Sequence, residues 1–109
     1  MVMQEATSEA TIKEGAYKLL AALFKVLASP ARLKILDLLC HNPPESRTFS
    51  SIMFSVGKNP NVVSRHLDKL QAYDLVEKTT DGSYRITDIG KLALNATSKD
   101  ILEIVEKAL

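Results

Sequence analysis

Residues 48–73 read TFSSIMFSVGKNPNVVSRHLDKLQAY, and their pattern decides the fold. Phe49, Ile52, Met53 and Val56 recur at i, i+3, i+4 and i+7, the single apolar stripe of an amphipathic helix. Gly57 follows the last of them, where a left-handed C-cap is least strained for glycine. Asn59 has the short polar side chain of an N-cap. Pro60 then stands at the first helical position, where its missing N–H leaves no bond unmade. Val63, Leu67 and Leu70, at i, i+4 and i+7, give the second helix its buried stripe. Two short helices joined through a glycine-containing turn form a helix-turn-helix, the arrangement that lays a helix in the DNA major groove.

Residues 75–86 narrow the fold further. Leu75–Thr80 and Ser83–Ile86 are short runs rich in β-branched and aromatic residues, and Asp81-Gly82 between them predicts a two-residue type I′ hairpin turn. A hairpin directly after the second helix is a wing. That register sets Thr80 opposite Ser83 and Lys78 opposite Arg85, with Glu77, Thr79, Tyr84 and Ile86 on the face toward the body. Like charges facing each other are destabilising unless an anion such as a DNA phosphate lies between them, or both cations splay into water.

With the wing in place, the chain resembles the winged-helix regulators of the ArsR type. The resemblance rests on VLASPARLKILDLL (26–39), NVVSRHLDKLQAYDLVEK (61–78) and DGSYRITDIGK (81–91), in that order, with SRHLDKL (64–70) the most characteristic piece. It implies a mainly α fold with a small β-hairpin (α+β), a winged helix-turn-helix flanked by N- and C-terminal helices that pair two copies. The family is best known for metal sensing, but its usual thiolate pair in the first motif helix has no counterpart in ESRTFSSIMF (45–54). No histidine follows His66, so the carboxylate and histidine set of the last helix is missing too. Cys40-His41 and a distant His66 are too few ligands for a site. The expectation is therefore no metal, no cofactor and an effector of unknown kind.

Length and composition fit one ordinary domain: 109 residues, 46% hydrophobic and 25% charged. No apolar run approaches the roughly 18 residues of a membrane span, and no basic-start signal segment is visible, so the expected location is the cytoplasm, in association with the nucleoid. One cysteine excludes an internal disulfide framework. The net charge of +1 does not itself argue for nucleic acid. Lys13–Lys34 holds five basic residues and one acid, whereas Lys58–Lys91 holds six and five, so the reading head is mixed.

Residues 1–8 lack periodicity and are expected to fray, leaving 9–109 as the winged-helix domain with dimerisation helices at 9–28 and 88–109. From Glu9 to Leu27 a helix carries Ile12, Ala16, Leu19, Leu20, Leu23, Phe24 and Leu27 on one broad face. Ser29-Pro30 opens a second helix to about Cys40, in which Leu33, Ile35, Leu36, Leu38 and Leu39 wrap most of the circumference, as in a central buried helix. Asn42-Pro43-Pro44 ends it, and Thr87 or Asp88 caps the last helix. In that helix Ile89, Leu92, Ala93 and Ala96 share one face, and Ile101, Ile104, Val105 and Ala108 share another. Between them Thr97-x-x-Asp100 has the form of a capping box, so either the helix breaks or its halves serve different surfaces. The favoured reading packs the first half on its own domain and the second on a partner, with Ile12, Leu19, Leu23, Ile101, Ile104 and Val105 in a homodimer interface. The alternative packs the terminal helices on each other within one chain.

Opposite the apolar stripe of the second motif helix lie Asn61, Arg65, Asp68 and Ala72, with Ser64 and Lys69 on the flanks. Asn61, Ser64 and Arg65 are the expected base-reading residues, because the N-terminal part of a recognition helix reaches base edges, Arg suiting guanine and Asn adenine. Arg47, Thr48, Lys58, Lys69, Lys78 and Arg85 are the expected contacts to the DNA backbone. Arg32 is either a further phosphate contact or a structural residue paired with an acid, and His66 reads as a partly buried packing histidine bonded to backbone, with a base or phosphate contact as the alternative. No nucleophile–base pair or glycine-rich phosphate loop points to an enzyme. The function expected is a sequence-specific transcriptional regulator binding double-stranded DNA as a homodimer at a pseudo-palindrome. The alternative is a winged-helix protein-interaction adaptor, favoured by the low charge and by Phe54, which projects off the stripe of its helix.

Overall fold

Across residues 2–41 and 47–108, which the computed structural model describes (side-chain surroundings for 13–41, 47–95 and 105–108), seven elements form in order. They are α1 (Val2–Leu27), α2 (Pro30–Cys40), α3 (Phe49–Val56), α4 (Pro60–Ala72), β1 (Val76–Lys78), β2 (Tyr84–Ile86) and α5 (Asp88–Ala108). The two strands form one antiparallel hairpin, and the architecture is a mainly helical winged helix-turn-helix. None of the described helices is long and apolar enough to cross a membrane.

Short polar side chains start the helices by accepting orphan N–H groups. Ser29 accepts from the Arg32 amide at 3.3 Å, Thr48 from Ser51 at 3.1 Å, Asn59 from Val62 at 3.0 Å and Thr87 from Gly90 at 2.9 Å. Gly57, at φ 72°, closes α3 with its N–H on the Met53 carbonyl, 2.9 Å away. The end of α4 needs a left-handed residue as well, and here it is Asp74, at φ 57°. The reversal lets Leu75 N–H reach the Leu70 carbonyl at 3.0 Å and turns the chain into the wing.

The core gathers around α2, which packs against α1, α3, α4, α5 and β2. Its Ile35 and Leu36 are fully buried with Ile52 of α3, Leu67 and Leu70 of α4 and Leu75 before the wing. The helix-turn-helix stripes therefore fall where the spacing predicts.

Three details differ from expectation. First, α1 begins at Val2 rather than near Glu9. Met3, Gln4, Glu5 and Ala6 are good helix formers, and no glycine or proline precedes Gly15, so propensity carries the helix without an apolar stripe.

Second, the wing pairs one residue out of the predicted register: Val76 faces Ile86, Glu77 faces Arg85 and Lys78 faces Tyr84. The turn is a three-residue loop, Thr80-Asp81-Gly82, in which Gly82 alone has positive φ (86°). Gly82 N–H bonds the Thr79 carbonyl at 3.0 Å, and Thr79 N–H the Ser83 carbonyl at 2.7 Å. This is a type I turn followed by a left-handed glycine, which Asp81-Gly82 serves as well as it serves a type I′ turn. The Asp81 carboxylate holds the loop by accepting from Ser83 N–H at 3.1 Å and from the Thr79 hydroxyl. Lys78 and Arg85 therefore do not oppose each other, and Glu77 points outward beside Arg85 rather than toward the body.

Third, α5 runs unbroken past Thr97, as the favoured reading has it, but the face of its first half is turned. Ala93 and Leu94 are buried, while Ile89 and Leu92 are 55% and 70% exposed. Gly90 sets this rotation, because it lies directly against the Leu75 carbonyl and Ile86.

The radius of gyration is 16.9 Å, against about 13 Å for a compact domain of this length. Two helices extend from the core: α1, whose side chains from Lys13 to Ala21 are all exposed until Val26 and Leu27 enter the core, and the end of α5, exposed from Val105 to Ala108. Among the residues expected at a dimer interface, Leu19 and Val105 are exposed and Leu23 is half-buried. Ile12, Ile101 and Ile104 lie outside the residues whose side chains are described.

A Cβ at Gly90 would overlap the Leu75 carbonyl and stand 2.7 Å from Ile86 Cγ1. Gly90→Ala should therefore lower the stability by about 1–3 kcal/mol, read as a lower urea midpoint, although alanine is the better helix former.

Candidate nucleic-acid interface

The two periodicities of α4 divide its residues cleanly. Val63, Leu67 and Leu70 are buried, which turns Asn61, Ser64, Arg65, Asp68 and Lys69 outward, all exposed. The N-terminal half of that face presents Asn61, Ser64 and Arg65 together, with Lys58 exposed in the turn just ahead of them. Amide side chain, hydroxyl and guanidinium are the donor and acceptor set that base edges require.

The remaining cations have distinct surroundings. Arg47 is tied to the wing through its backbone: its N–H bonds the Tyr84 carbonyl at 3.0 Å and its carbonyl accepts from Tyr84 N–H at 2.8 Å. Its guanidinium donates to Ser51 Oγ at 3.3 Å. Thr48 spends its hydroxyl on the α3 cap. On the wing, the Lys78 ammonium stands 5.8 Å from the centre of the Tyr84 ring, and Arg85 forks onto Glu77, Nε at 2.8 Å and Nη2 to the same oxygen. Half the wing's expected positive charge is thus neutralised. Lys58, Arg65 and Lys69 have no ion-pair partner among the described residues.

Arg32 is held in place without an acid. Its Nε donates to the Val26 carbonyl and Nη2 to the Lys25 carbonyl at 3.4 Å, which satisfies the C-terminal end of α1. Nη1 lies 3.1 Å from His66 Nδ1 on α4. His66 is half-buried as expected, with a side-chain partner in place of a backbone one. Arginine is only a donor, so Nδ1 must accept and the imidazole is neutral with its proton on Nε2. Burial holds the His66 pKa below its ordinary value, and the charges of Arg32, Lys58 and Arg65 push it the same way. This Arg32–His66 link was not legible in advance. The one signal for it was a cation shortly after a helix end whose last carbonyls needed donors.

Elsewhere, His41 Nδ1 stands 3.0 Å from Asp37 on the exposed end of α2, and Cys40 is half-buried beside it. No group of three or more His, Cys, Asp or Glu side chains among the described residues could hold a metal ion.

Residues 29–78 match the model of the arsR family of bacterial regulatory proteins. Among solved structures, NolR from Sinorhizobium fredii is 30% identical, with 79% of this chain and 87% of that one covered and a TM-score of 0.67. Rv0081 of M. tuberculosis is 31% identical over 85% of this chain and 94% of that one, with a TM-score of 0.71. A fragment of Mb0332 from Mycobacterium bovis, a homodimeric winged helix-turn-helix DNA-binding domain of a possible ArsR-family regulator, is 29% identical (87% and 84% covered, TM-score 0.65). No curated protein matches the chain.

The neutral His66 carries a pH prediction with a definite sign. Its folded pKa lies below the ordinary 6.5, so on acidification the unfolded chain takes up the proton first. Stability is fully present above that value and declines as the pH falls through it toward the folded pKa. Urea midpoints measured on either side of pH 6.5 should fall on the acid side, and His66→Gln should remove part of that fall. An identical pH profile in the variant would show that His66 is not the group responsible.

Proposed function

The chain belongs to the ArsR family of bacterial regulatory proteins, and on that premise we propose that it is a transcriptional regulator that binds double-stranded DNA as a homodimer. The observation that carries the reading is the exposed N-terminal face of α4, where Asn61, Ser64 and Arg65 stand free of the core. In the proposed mechanism α4 enters the major groove, Arg65 and Asn61 bond base edges, and Ser64 contacts a base edge beside them. Lys58 and Lys69 hold backbone phosphates on either side, supported by the Arg47–Thr48 segment and by Lys78 on the wing. Arg85, already neutralised by Glu77, contributes less than Lys78.

Pairing of two copies through α1 and α5 accounts for Tyr17, Leu19, Leu20 and Phe24 of α1 and Ile89, Leu92 and Val105 of α5, all large, apolar and exposed. Two α4 helices related by a two-fold axis would read half-sites about one helical turn apart, roughly 34–36 Å, hence a pseudo-palindrome. One observation favours a second reading, a protein-interaction adaptor: Phe54 is 89% exposed on α3. Salt-independent capture of a protein, with no affinity for DNA, would identify it.

Fluorescence anisotropy with mixed duplex fragments across a salt series tests the principal reading. Binding should weaken steeply with salt. In a binding-site selection Arg65→Ala should relax preference at one position per half-site, by about 1–3 kcal/mol. Lys58→Ala should weaken all sequences alike and flatten the salt slope by about one unit. No binding even at low salt would end the DNA reading. Separately, Leu19→Asp should convert the dimer to monomer in sedimentation, since the substitution places a charge in the proposed apolar interface. A wild-type chain that sediments as a monomer would remove the dimer.

A further inference from the structure

A second stripe runs along the flank of α4 that turns toward α2. Val62, Arg65, His66 and Lys69 follow one another at i, i+3, i+4 and i+7, and with Arg32 they line an open cleft of about 400 Å³. Apart from Val62, every lining side chain is a cation or a ring N–H donor, and no carboxylate lines it. Arg32 commits three of its five N–H donors to Val26, Lys25 and His66, so its planar group is fixed before any ligand arrives. His66 accepts through Nδ1, which leaves Nε2–H as its donor. Arg65 and Lys69 have no ion-pair partner among the described residues and remain mobile donors at the rim. Lys58 adds its charge to the field at His66 from the turn.

Fixed and mobile donors without a balancing acid are complementary to an oxyanion with several acceptor oxygens. The volume lies within the roughly 300–1,000 Å³ usual for ligand clefts, so it admits a phosphate together with the group that bears it. We propose that this cleft is a phosphate-binding site on the flank of the reading helix, where Lys69 closes on the phosphate oxygens against the fixed Arg32–His66 pair, with Arg65 at the rim adding its charge. The phosphate belongs either to a DNA strand crossing α4 or to a free phosphorylated small molecule. For the first source, the assignment rests on the proposed DNA reading.

His66 is the reporter, with His41, exposed at the far end of α2, as its internal reference. The ring resonances of both are followed by NMR while inorganic phosphate, and in a separate series duplex DNA, is added at an ionic strength held constant with chloride. Duplex binding is measured in parallel by anisotropy. The site predicts a saturable shift of His66 and none of His41. Lys69→Gln, at an exposed position that leaves the core intact, should weaken that response about two- to fivefold. A response to inorganic phosphate assigns the cleft to a free ligand, and a response to the duplex alone assigns it to the DNA backbone. A duplex that binds while His66 stays still in both series overturns the cleft and leaves the DNA reading standing. A saturable phosphate response without duplex binding does the reverse. A response that Lys69→Gln leaves unchanged also overturns the site.

Discussion

Burial of α2 is the constraint on which the rest of the molecule depends. An eleven-residue helix that packs against α1, α3, α4, α5 and β2 has to be apolar over most of its circumference. Ile35, Leu36 and Leu39 supply that surface, and Leu33 and Leu38 extend it where burial is partial. Because each neighbour docks on α2, its position fixes theirs. The α3–α4 pair is held at one angle by Ile52, Val63 and Leu67, and the wing is held behind it by Leu75, Val76 and Ile86. Arg32 extends the constraint by joining the end of α1 to the middle of α4 through polar contacts. A single short helix thus positions both the exposed face of α4 and the exposed arm of α1.

Electrostatics works within that frame by local placement rather than by sum. The chain carries a formal net charge of +1, and the wing spends Arg85 on Glu77. Yet Lys58, Arg65 and Lys69 stand on or beside α4 without partners among the described residues, and Arg32 lies behind them. The cleft beside α4 is lined by Arg32, Arg65, His66 and Lys69 without a carboxylate, while Asp68 stands exposed on the outward face of the helix. Bulk charge is therefore a poor guide to such a surface.

How much of the molecule was legible in the sequence depends on the range of the interactions. Periodicity and capping are local, so α3, the Gly57 turn and α4 could be read from Phe49, Ile52, Val56, Asn59, Pro60, Val63 and Leu67 alone. The outward set of Asn61, Ser64 and Arg65 came from the same geometry, although what those residues bind is a proposal. The wing register was not legible, since Asp81-Gly82 suits two turn types and a shift of one residue exchanges Lys78 for Glu77 opposite Arg85. The rotation of α5 depended on Gly90 meeting a carbonyl from before the wing. The Arg32–His66 contact joins residues 34 positions apart. Contacts of that kind leave no periodic trace.

The division of α4 into two sets of residues has an evolutionary consequence. Val63, Leu67 and Leu70 hold the helix in place, and Asn61, Ser64 and Arg65 add nothing to the core. Exposed positions of this kind tolerate substitution at about ±0.5 kcal/mol. Under the proposed reading, a descendant could acquire a new operator by exchanging those three side chains with little loss of stability. His66 is the exception, since it is half-buried, bonded to Arg32 and part of the cleft at once. Under the same reading, drift at that one position would disturb the Arg32 contact and the cleft together, so lineages that diverge in target sequence should part company at residues 61, 64 and 65 before they do so at 66.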